Sequence, residues 1–169
     1  GYDISGKLWS AKYLLEKPEI IQEIHETYIA AGADLITTSS YQASLPGLME
    51  AGLTEREAEQ VIALTVQLAK AARDKIWATL DETEKAKRPY PLISGDVGPY
   101  AAYLANGSEY TGDYGQVTVE TLKDFHRPRI HVLLDQGVDL LALETIPNHL
   151  EAQALVELLA EEFPEVEAY

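Results

Sequence analysis

The stretch GVDLLALETIPN, residues 137–148, decides the fold. From Val138 to Leu143 every residue but Asp139 is apolar. An apolar run without alternation belongs to a strand covered on both faces, the usual state of a parallel strand. Gly137 in front of it supplies the left-handed cap that stops a helix. The same joint occurs earlier, at Gly32-Ala33-Asp34-Leu35-Ile36. Both places carry a helix-ending glycine, one small or branched residue, an aspartate and then a buried strand. The aspartate is expected to satisfy backbone donors before the strand enters the core. Strands are therefore expected at Leu35–Thr38 and Val138–Leu143. A further one, at Leu92–Ser94, is expected to end at Gly95, Gly98 and Pro99, and another to begin at Val166.

Helices fill the intervals. Pro18 to Ala31 is one, with Pro18 at a first helical position and Ile20, Ile21, Ile24 and Tyr28 on one face. Thr54-Glu55-Arg56-Glu57 is a capping box. It opens a long helix that carries Val61, Ile62, Thr65, Leu68, Ala69, Ala72 and Ile76 in register. Val117 to Gln136 is the third, expected to kink or divide at Pro128. Leu150 to Phe163 is the fourth, closed by Pro164. Between them, Pro46-Gly47 reads as a break in a loop, and Asp81 to Arg88 as a solvated charge run. Tyr100 to Gly115 reads as a long loop in which Tyr100, Tyr103, Tyr110 and Tyr114 argue against disorder.

The order α, β, α, β, α, β, α, β predicts a parallel sheet with right-handed crossovers. Each unit takes about 40 residues. An open doubly wound sheet and a (β/α)8 barrel both fit. No GxGxxG follows a strand and no GxxxxGK[ST] occurs, so the usual nucleotide signatures are missing. A barrel needs roughly 250 residues, so the 169 here would make about half of one.

Composition narrows the function classes. Hydrophobic residues make up 46% and charged residues 24%, which are globular values. Lys+Arg is 13 against 28 Asp+Glu, a formal net charge of -15. That balance disfavours nucleic acid and anionic membrane surfaces and suits a cationic ligand. With no cysteine, a disulfide scaffold, a thiolate metal site and a cysteine nucleophile are excluded within this chain. No apolar stretch approaches the ~20 residues that span a bilayer. No signal segment opens the chain, and a cytoplasmic location is the expectation. Residue 1 is Gly, and Val166 to Tyr169 reads as a strand just starting, so a piece of a longer protein is expected.

In either parallel architecture, function sits at the carboxyl ends of the strands. Three places qualify: Thr38-Ser39-Ser40-Tyr41, Asp96 to Tyr100, and Glu144-Thr145. Glu144 is the first candidate, because a carboxylate after an apolar run is costly to bury unless paired. Asp96, between two glycines at the neighbouring strand end, reads equally as a turn former. Tyr41 and the loop tyrosines would present aromatic faces to a cation. Trp9 reads as an anchor or a pocket wall. His25, His126, His131 and His149 read as structural or surface residues. His126 and His131 are five apart and do not share a helix face as a zinc pair would. Asn106-Gly107-Ser108 matches a glycosylation acceptor by chance.

Three long stretches resemble the homocysteine S-methyltransferase family: LWSAKYLLEKPEIIQEIHETYIAAGADLITTSSYQAS, SGDVGPYAAYLANGSEYTGDYG and FHRPRIHVLLDQGVDLLALETIPN. The loop GPYAAYLANGSEYTGDY is similar to the short, cobalamin-independent members that use S-methylmethionine or S-adenosylmethionine. The resemblance implies a (β/α)8 TIM barrel larger than the usual ~250 residues. Residues 1–169 would be a partial barrel domain, holding the second to fourth βα units and the start of the fifth strand. The first strand and the C-terminal half would be missing. The implied reaction is methyl transfer from a sulfonium donor to the zinc-bound thiolate of homocysteine, giving methionine.

The resemblance further implies zinc held by three cysteines, none of which this chain carries, so the fragment alone is expected to be inactive. It makes Glu144 the partner of the homocysteine amino group and has Tyr41 line the homocysteine site, with Thr38 a further substrate-binding residue. Trp9, Gly98, Tyr100 and Tyr103 would flank the donor. Two other readings stand beside this one. One is a barrel hydrolase using Asp96 and Glu144 as an acid/base pair. The other is a non-catalytic half-barrel interaction module. Open sheet edges make self-association an expectation as well.

Overall fold

The computed structural model describes residues 11–169. Its elements run α1 (Ala11–Glu16), α2 (Pro18–Ala30), β1 (Leu35–Thr37), α3 (Leu45–Glu50), α4 (Glu55–Thr79), α5 (Glu82–Lys85), β2 (Leu92–Val97), α6 (Tyr100–Leu104), α7 (Ser108–Thr111), α8 (Val119–Asp135), β3 (Leu140–Leu143) and α9 (His149–Glu162). The three strands form one parallel sheet in the order β1-β2-β3. Leu35 pairs with Leu92, and Gly95 with Leu141. The C-terminus begins a further parallel partner of β3. Leu141 N–H donates to Glu167 O at 2.9 Å, and Leu143 N–H to Tyr169 O at 2.8 Å. The expected strand at Val166 is thus present as a bridge at Ala168. No helix among the described residues is long and apolar enough to cross a membrane.

The register separates the two faces of the sheet. Ile36, Ile93, Gly95, Val97 and Leu141 leave one face. Ile36 and Ile93 pack with Ile29 of α2 and with Ala69 and Ala72 of α4. Val97 and Leu141 pack with Ile130 and Leu133 of α8 and with Leu155 and Leu158 of α9. Thr37, Ser94, Asp96, Ala142 and Glu144 lie on the other face, against which no described helix packs. A doubly wound sheet carries helices on both faces, whereas a barrel wall carries them outside only. The sheet is therefore part of a (β/α)8 barrel wall, with Leu35 and Leu92 exposed on its inner side.

Several local expectations change. β2 continues through Gly95 and Asp96 to Val97. Gly95 does not break it because its missing side chain is what Leu133 and Leu141 fill: a Cβ there would lie 3.2 Å from each. Pro46-Gly47 does not break a loop but lies in the first turn of α3, capped by the Ser44 hydroxyl. The charge run contains one helical turn with a capping box between Asp81 and Glu84. Its Arg88 is bound to Asp34 and to the carbonyls of Ile29 and Ala33, which ties α2 to the entry of β2.

The long tyrosine-bearing stretch folds into α6 and α7. α8 runs as one helix across Pro128, because Leu122, Phe125, Ile130 and Leu133 on both sides of it are buried. On α2 the buried stripe is Ile21, His25 and Ile29, whereas Ile24 and Tyr28 face solvent beside the open edge of β1. The repeated joint holds at both glycines, with φ of 108° at Gly32 and 76° at Gly137. Asp139 accepts the Ile93 N–H at 2.7 Å, as expected, whereas the Asp34 carboxylate takes Arg88 instead.

The contact of α8 with β2 passes through Gly95. Gly95→Val is expected to cost about 1–3 kcal/mol by overpacking. Urea unfolding followed by circular dichroism would measure it, and an unchanged midpoint would count against this packing.

Candidate functional site

The C-terminal ends of β1 and β2 are stitched together by short hydroxyl side chains. Asp96 N–H donates to the Thr38 hydroxyl at 2.9 Å, and the Ser40 hydroxyl donates to Asp96 O at 2.7 Å. The two hydroxyls lie 2.7 Å apart. All three residues are buried. The Thr38 side chain is therefore committed to holding the end of β2.

Arg129 of α8 locks the two loops that follow. It is 1% exposed. One terminal nitrogen donates to the carbonyls of Ser40 and Tyr41, both at 3.1 Å. The other donates to Gly98 O at 2.6 Å and meets His126 Nδ1 at 3.1 Å. Burial lowers its pKa to about 10, still far above neutrality. His126, one turn earlier, is fully buried, and burial together with the Arg129 charge drops its pKa to about 4. The neutral ring accepts from Arg129 at Nδ1, so the proton sits on Nε2 and is donated to Glu151 Oε1 at 2.7 Å.

Glu151, at the start of α9, also accepts the Tyr100 N–H at 2.6 Å and the Tyr114 hydroxyl. Burial opposes its ionisation, but those donors hold its pKa below the usual value. Arg129, His126 and Glu151 thereby couple α8, α9 and the N-terminus of α6.

The second carboxyl has the opposite surroundings. Asp96 is 5% exposed and its Oδ1 has no hydrogen-bond donor. It faces the Glu144 carboxyl within hydrogen-bonding reach. Burial and that neighbour raise its pKa to about 8, against a partial counter-pull from Arg129. Glu144 itself is exposed at the end of β3, not buried as its apolar neighbours suggested. It lies one residue past the end of β3, beyond the paired stretch in which Ser94, Asp96 and Ala142 of the same face are buried. Thr145 follows at φ 60°, an unusual conformation for a β-branched residue, and its hydroxyl acts on the Tyr41 phenol, lowering its pKa against the rise from burial. Tyr41 is half-buried, and burial raises its pKa, with Asp96 and Glu144 adding to the rise. Its backbone and ring press on Gly98: a Cβ there would lie 2.4 Å from Tyr41 O and 2.7 Å from the ring. Only glycine fits.

Thr38, Tyr41, Gly98, Asp96 and Glu144 thus converge at three neighbouring strand ends. Tyr100 and Tyr103 stand slightly apart. Their rings pack on Phe125 with centroids at 5.0 and 5.5 Å, and Tyr100 also meets Tyr114 at 5.4 Å. The Tyr103 hydroxyl donates to Glu50, which raises its pKa to about 12. Tyr103 walls a cleft of about 120 Å³ with Gln42, Ser44, Gly47, Glu50 and Ala102. Trp9 lies outside the described residues. Sequence reading missed Arg129 and Glu151, and placed Ser40 at a strand end without a role. For Arg129 the available signal was a cation amid the buried positions Phe125, Ile130 and Leu133 of one helix. Among the described residues no group of three or more His, Cys, Asp or Glu side chains could hold a metal ion. With no cysteine either, the residues present do not fit the zinc that the resemblance implies.

Two outcomes follow from this geometry. Arg129→Lys loses the planar fork and leaves carbonyls unpaired, and is expected to cost about 3 kcal/mol in urea unfolding. Asp96 keeps its proton in the folded chain up to about 8, whereas the unfolded chain gives it up near 3.8. The folded state therefore binds the extra proton in that window, and stability falls as pH rises through it. Asp96→Asn removes that loss. Its unfolding temperature should exceed that of the parent chain by a margin that grows from pH 5 to pH 8, and a constant margin would contradict the shift.

Comparison with known proteins bears on this arrangement. Residues 2–169 match the family model described as homocysteine S-methyltransferase. The chain is 48% identical to homocysteine S-methyltransferase 1 of Arabidopsis thaliana, with all of this chain and 52% of that protein covered. It is 47% identical to homocysteine S-methyltransferase YbgG of Bacillus subtilis, again with all of this chain and 52% of that protein covered. Among solved structures, the oxidized form of the Escherichia coli homocysteine methyltransferase MmuM superposes with a TM-score of 0.90 at 46% identity. That match covers 100% of this chain and 56% of the other. The metallated form of the same enzyme gives 0.89 at 47%, covering 99% and 56%. The chain spans about half the length of the curated relatives it matches. On a family match that runs almost from end to end and a shared backbone, the chain belongs to the homocysteine S-methyltransferase family.

Proposed function

We propose that this chain supplies the amine-binding and donor-facing wall of a homocysteine S-methyltransferase. The whole protein would transfer a methyl group from S-methylmethionine or S-adenosylmethionine to homocysteine, giving methionine. The observation that carries the reading is the exposed Glu144 carboxylate at the end of β3, beside Asp96 and Tyr41, in a chain of this family. Glu144 accepts hydrogen bonds from the substrate ammonium group. Tyr41 lines the same place, held there by the Arg129 clamp on its carbonyl and by the close fit on Gly98.

The reaction balances simply. The thiolate sulfur of homocysteine forms a bond to the donor methyl carbon as the old carbon–sulfur bond breaks. Its electron pair returns to the donor sulfur, and both charges vanish. Tyr100 and Tyr103 offer aromatic faces to the sulfonium before transfer, and that attraction is lost once the cation is neutralised. Zinc, where bound, would supply the thiolate. Its ligands would have to come from outside these residues, so the 169-residue chain alone is inactive.

A glycosidase-like use of Asp96 and Glu144 is disfavoured. Such pairs stand about 5 Å or more apart to admit a sugar or water, and these two are in hydrogen-bonding reach.

Glu144→Ala is expected to weaken homocysteine binding at least tenfold by calorimetry, with little change in unfolding temperature. Unchanged affinity would overturn the assignment of Glu144. Methionine formation by the 169-residue chain, purified free of any longer enzyme, would overturn the claim that it is inactive alone.

A further inference from the structure

We propose that Asp96 and Glu144 share one proton and together form a proton-exchanging seat for a primary ammonium group, with Asp96 as the second carboxyl of the amine site. The proposal rests on the reading of Glu144 above and adds a residue and a proton to it. Its basis is geometric. The ladder pairs Asp96 with Ala142, so Glu144, two residues further along β3, leaves the same face of the sheet. Asp96 is 5% exposed, and its Oδ1 is buried without a donor. The side chain that acts on it most directly is another carboxyl, that of Glu144. Two carboxyls in contact with no donor between them do not both ionise; one proton satisfies both.

The other groups facing Asp96 cannot supply that proton. The Thr38 hydroxyl, at the end of β1, already takes the Asp96 N–H. Arg129, from α8, spends its terminal nitrogens on three carbonyls and His126, so it lends Asp96 charge without a hydrogen bond. Its Nε has no partner of its own. The Tyr41 phenol, from the loop after β1, feels the charges of Glu109, Asp96 and Glu144 and makes no hydrogen bond to Asp96. The burial that pushes the Asp96 pKa to about 8 acts in the same direction.

The exposed member of the pair, Glu144, is the one a ligand reaches first. An ammonium group seated there brings a positive charge beside the shared proton. The pair then favours its fully ionised form, and the proton leaves to solvent as the cation arrives. The pair passes from one negative charge to two while one positive charge is gained. Binding is therefore coupled to release of up to one proton.

The test has a ligand-free arm and a binding arm. With the carboxyl carbons labelled, carbon NMR should show Asp96 titrating near pH 8, and about one unit or more lower in Glu144→Gln. The probe for binding is L-methionine, which carries the amine without a titrating thiol. Calorimetry at pH 7 in phosphate and in Tris should show proton release, and affinity should rise by up to tenfold per pH unit between pH 6 and 8. Asp96→Asn should abolish both effects, and Asp96→Ser is the second neutral variant should Asn misfold. Asp96 titrating in the ordinary carboxylate range, or methionine binding with no proton released, overturns the proposal. The amine-free analogue 4-(methylthio)butanoate separates the two levels. If it binds as tightly as methionine, the assignment of Glu144 to the amine fails, and the seat with it, whatever Asp96 titrates at.

Discussion

The strand ends of this chain depend on one buried cation. Arg129 sits 1% exposed among three backbone carbonyls and a histidine nitrogen. A guanidinium out of water is costly unless its donors are matched, and its planar fork suits several carbonyls at once. The loops after β1 and β2 provide those carbonyls at Ser40, Tyr41 and Gly98. Tyr41 and Gly98 cannot move independently of each other, because the guanidinium bridges them and their own contact leaves no room for a Cβ. Burial, helped by the same charge, keeps His126 neutral, and the Arg129 donation to Nδ1 leaves Nε2 to donate to Glu151. Glu151 then holds the backbone of Tyr100, where α6 begins.

Two buried carboxyls in one small region show how surroundings set protonation. Glu151 collects a backbone N–H, a phenol and an imidazole N–H, and remains ionised despite its burial. Asp96 finds a second carboxyl instead, and is pushed the other way. The acidic excess of the chain, -15, plays little part in this. Ion pairs such as Arg127 with Glu162 and Lys123 with Glu157 and Glu161 join α8 to α9 away from the strand ends. The site is made by a few buried charges and by the one exposed carboxylate, Glu144, that they surround.

Local features were legible wherever a residue acts on its immediate neighbours. The capping box of Thr54 and Glu57 forms as its spacing demands. The glycines at 32 and 137 take the left-handed conformation that ends each helix. The apolar run at Leu140–Leu143 is a strand. Misreadings arose where a distant contact outweighs a local preference. Gly95 reads as a strand end until Leu133 and Leu141 are seen to fill its empty side. Pro128 reads as a helix break until the buried residues around it are counted. Ile24 and Tyr28 read as core, yet they flank an edge that no described strand covers.

The amino-acid sequence by itself determined the alternation of helix and strand, the parallel sheet, the family and the strand-end candidates Tyr41, Thr38, Gly98, Asp96 and Glu144. The helices, strands and strand ends follow from periodicity and caps, and the family from the resemblance of three long stretches, all properties of residues near one another in the chain. Only the tertiary structure decided that helices cover one face of the sheet, that Glu144 is exposed while Asp96 is buried against it, and that Arg129 holds the loops together. The groups that meet at these strand ends lie up to 89 positions apart in the chain, as Ser40 and Arg129 do. No local pattern encodes such a meeting, because it exists only once the strands have paired and α8 has packed on them.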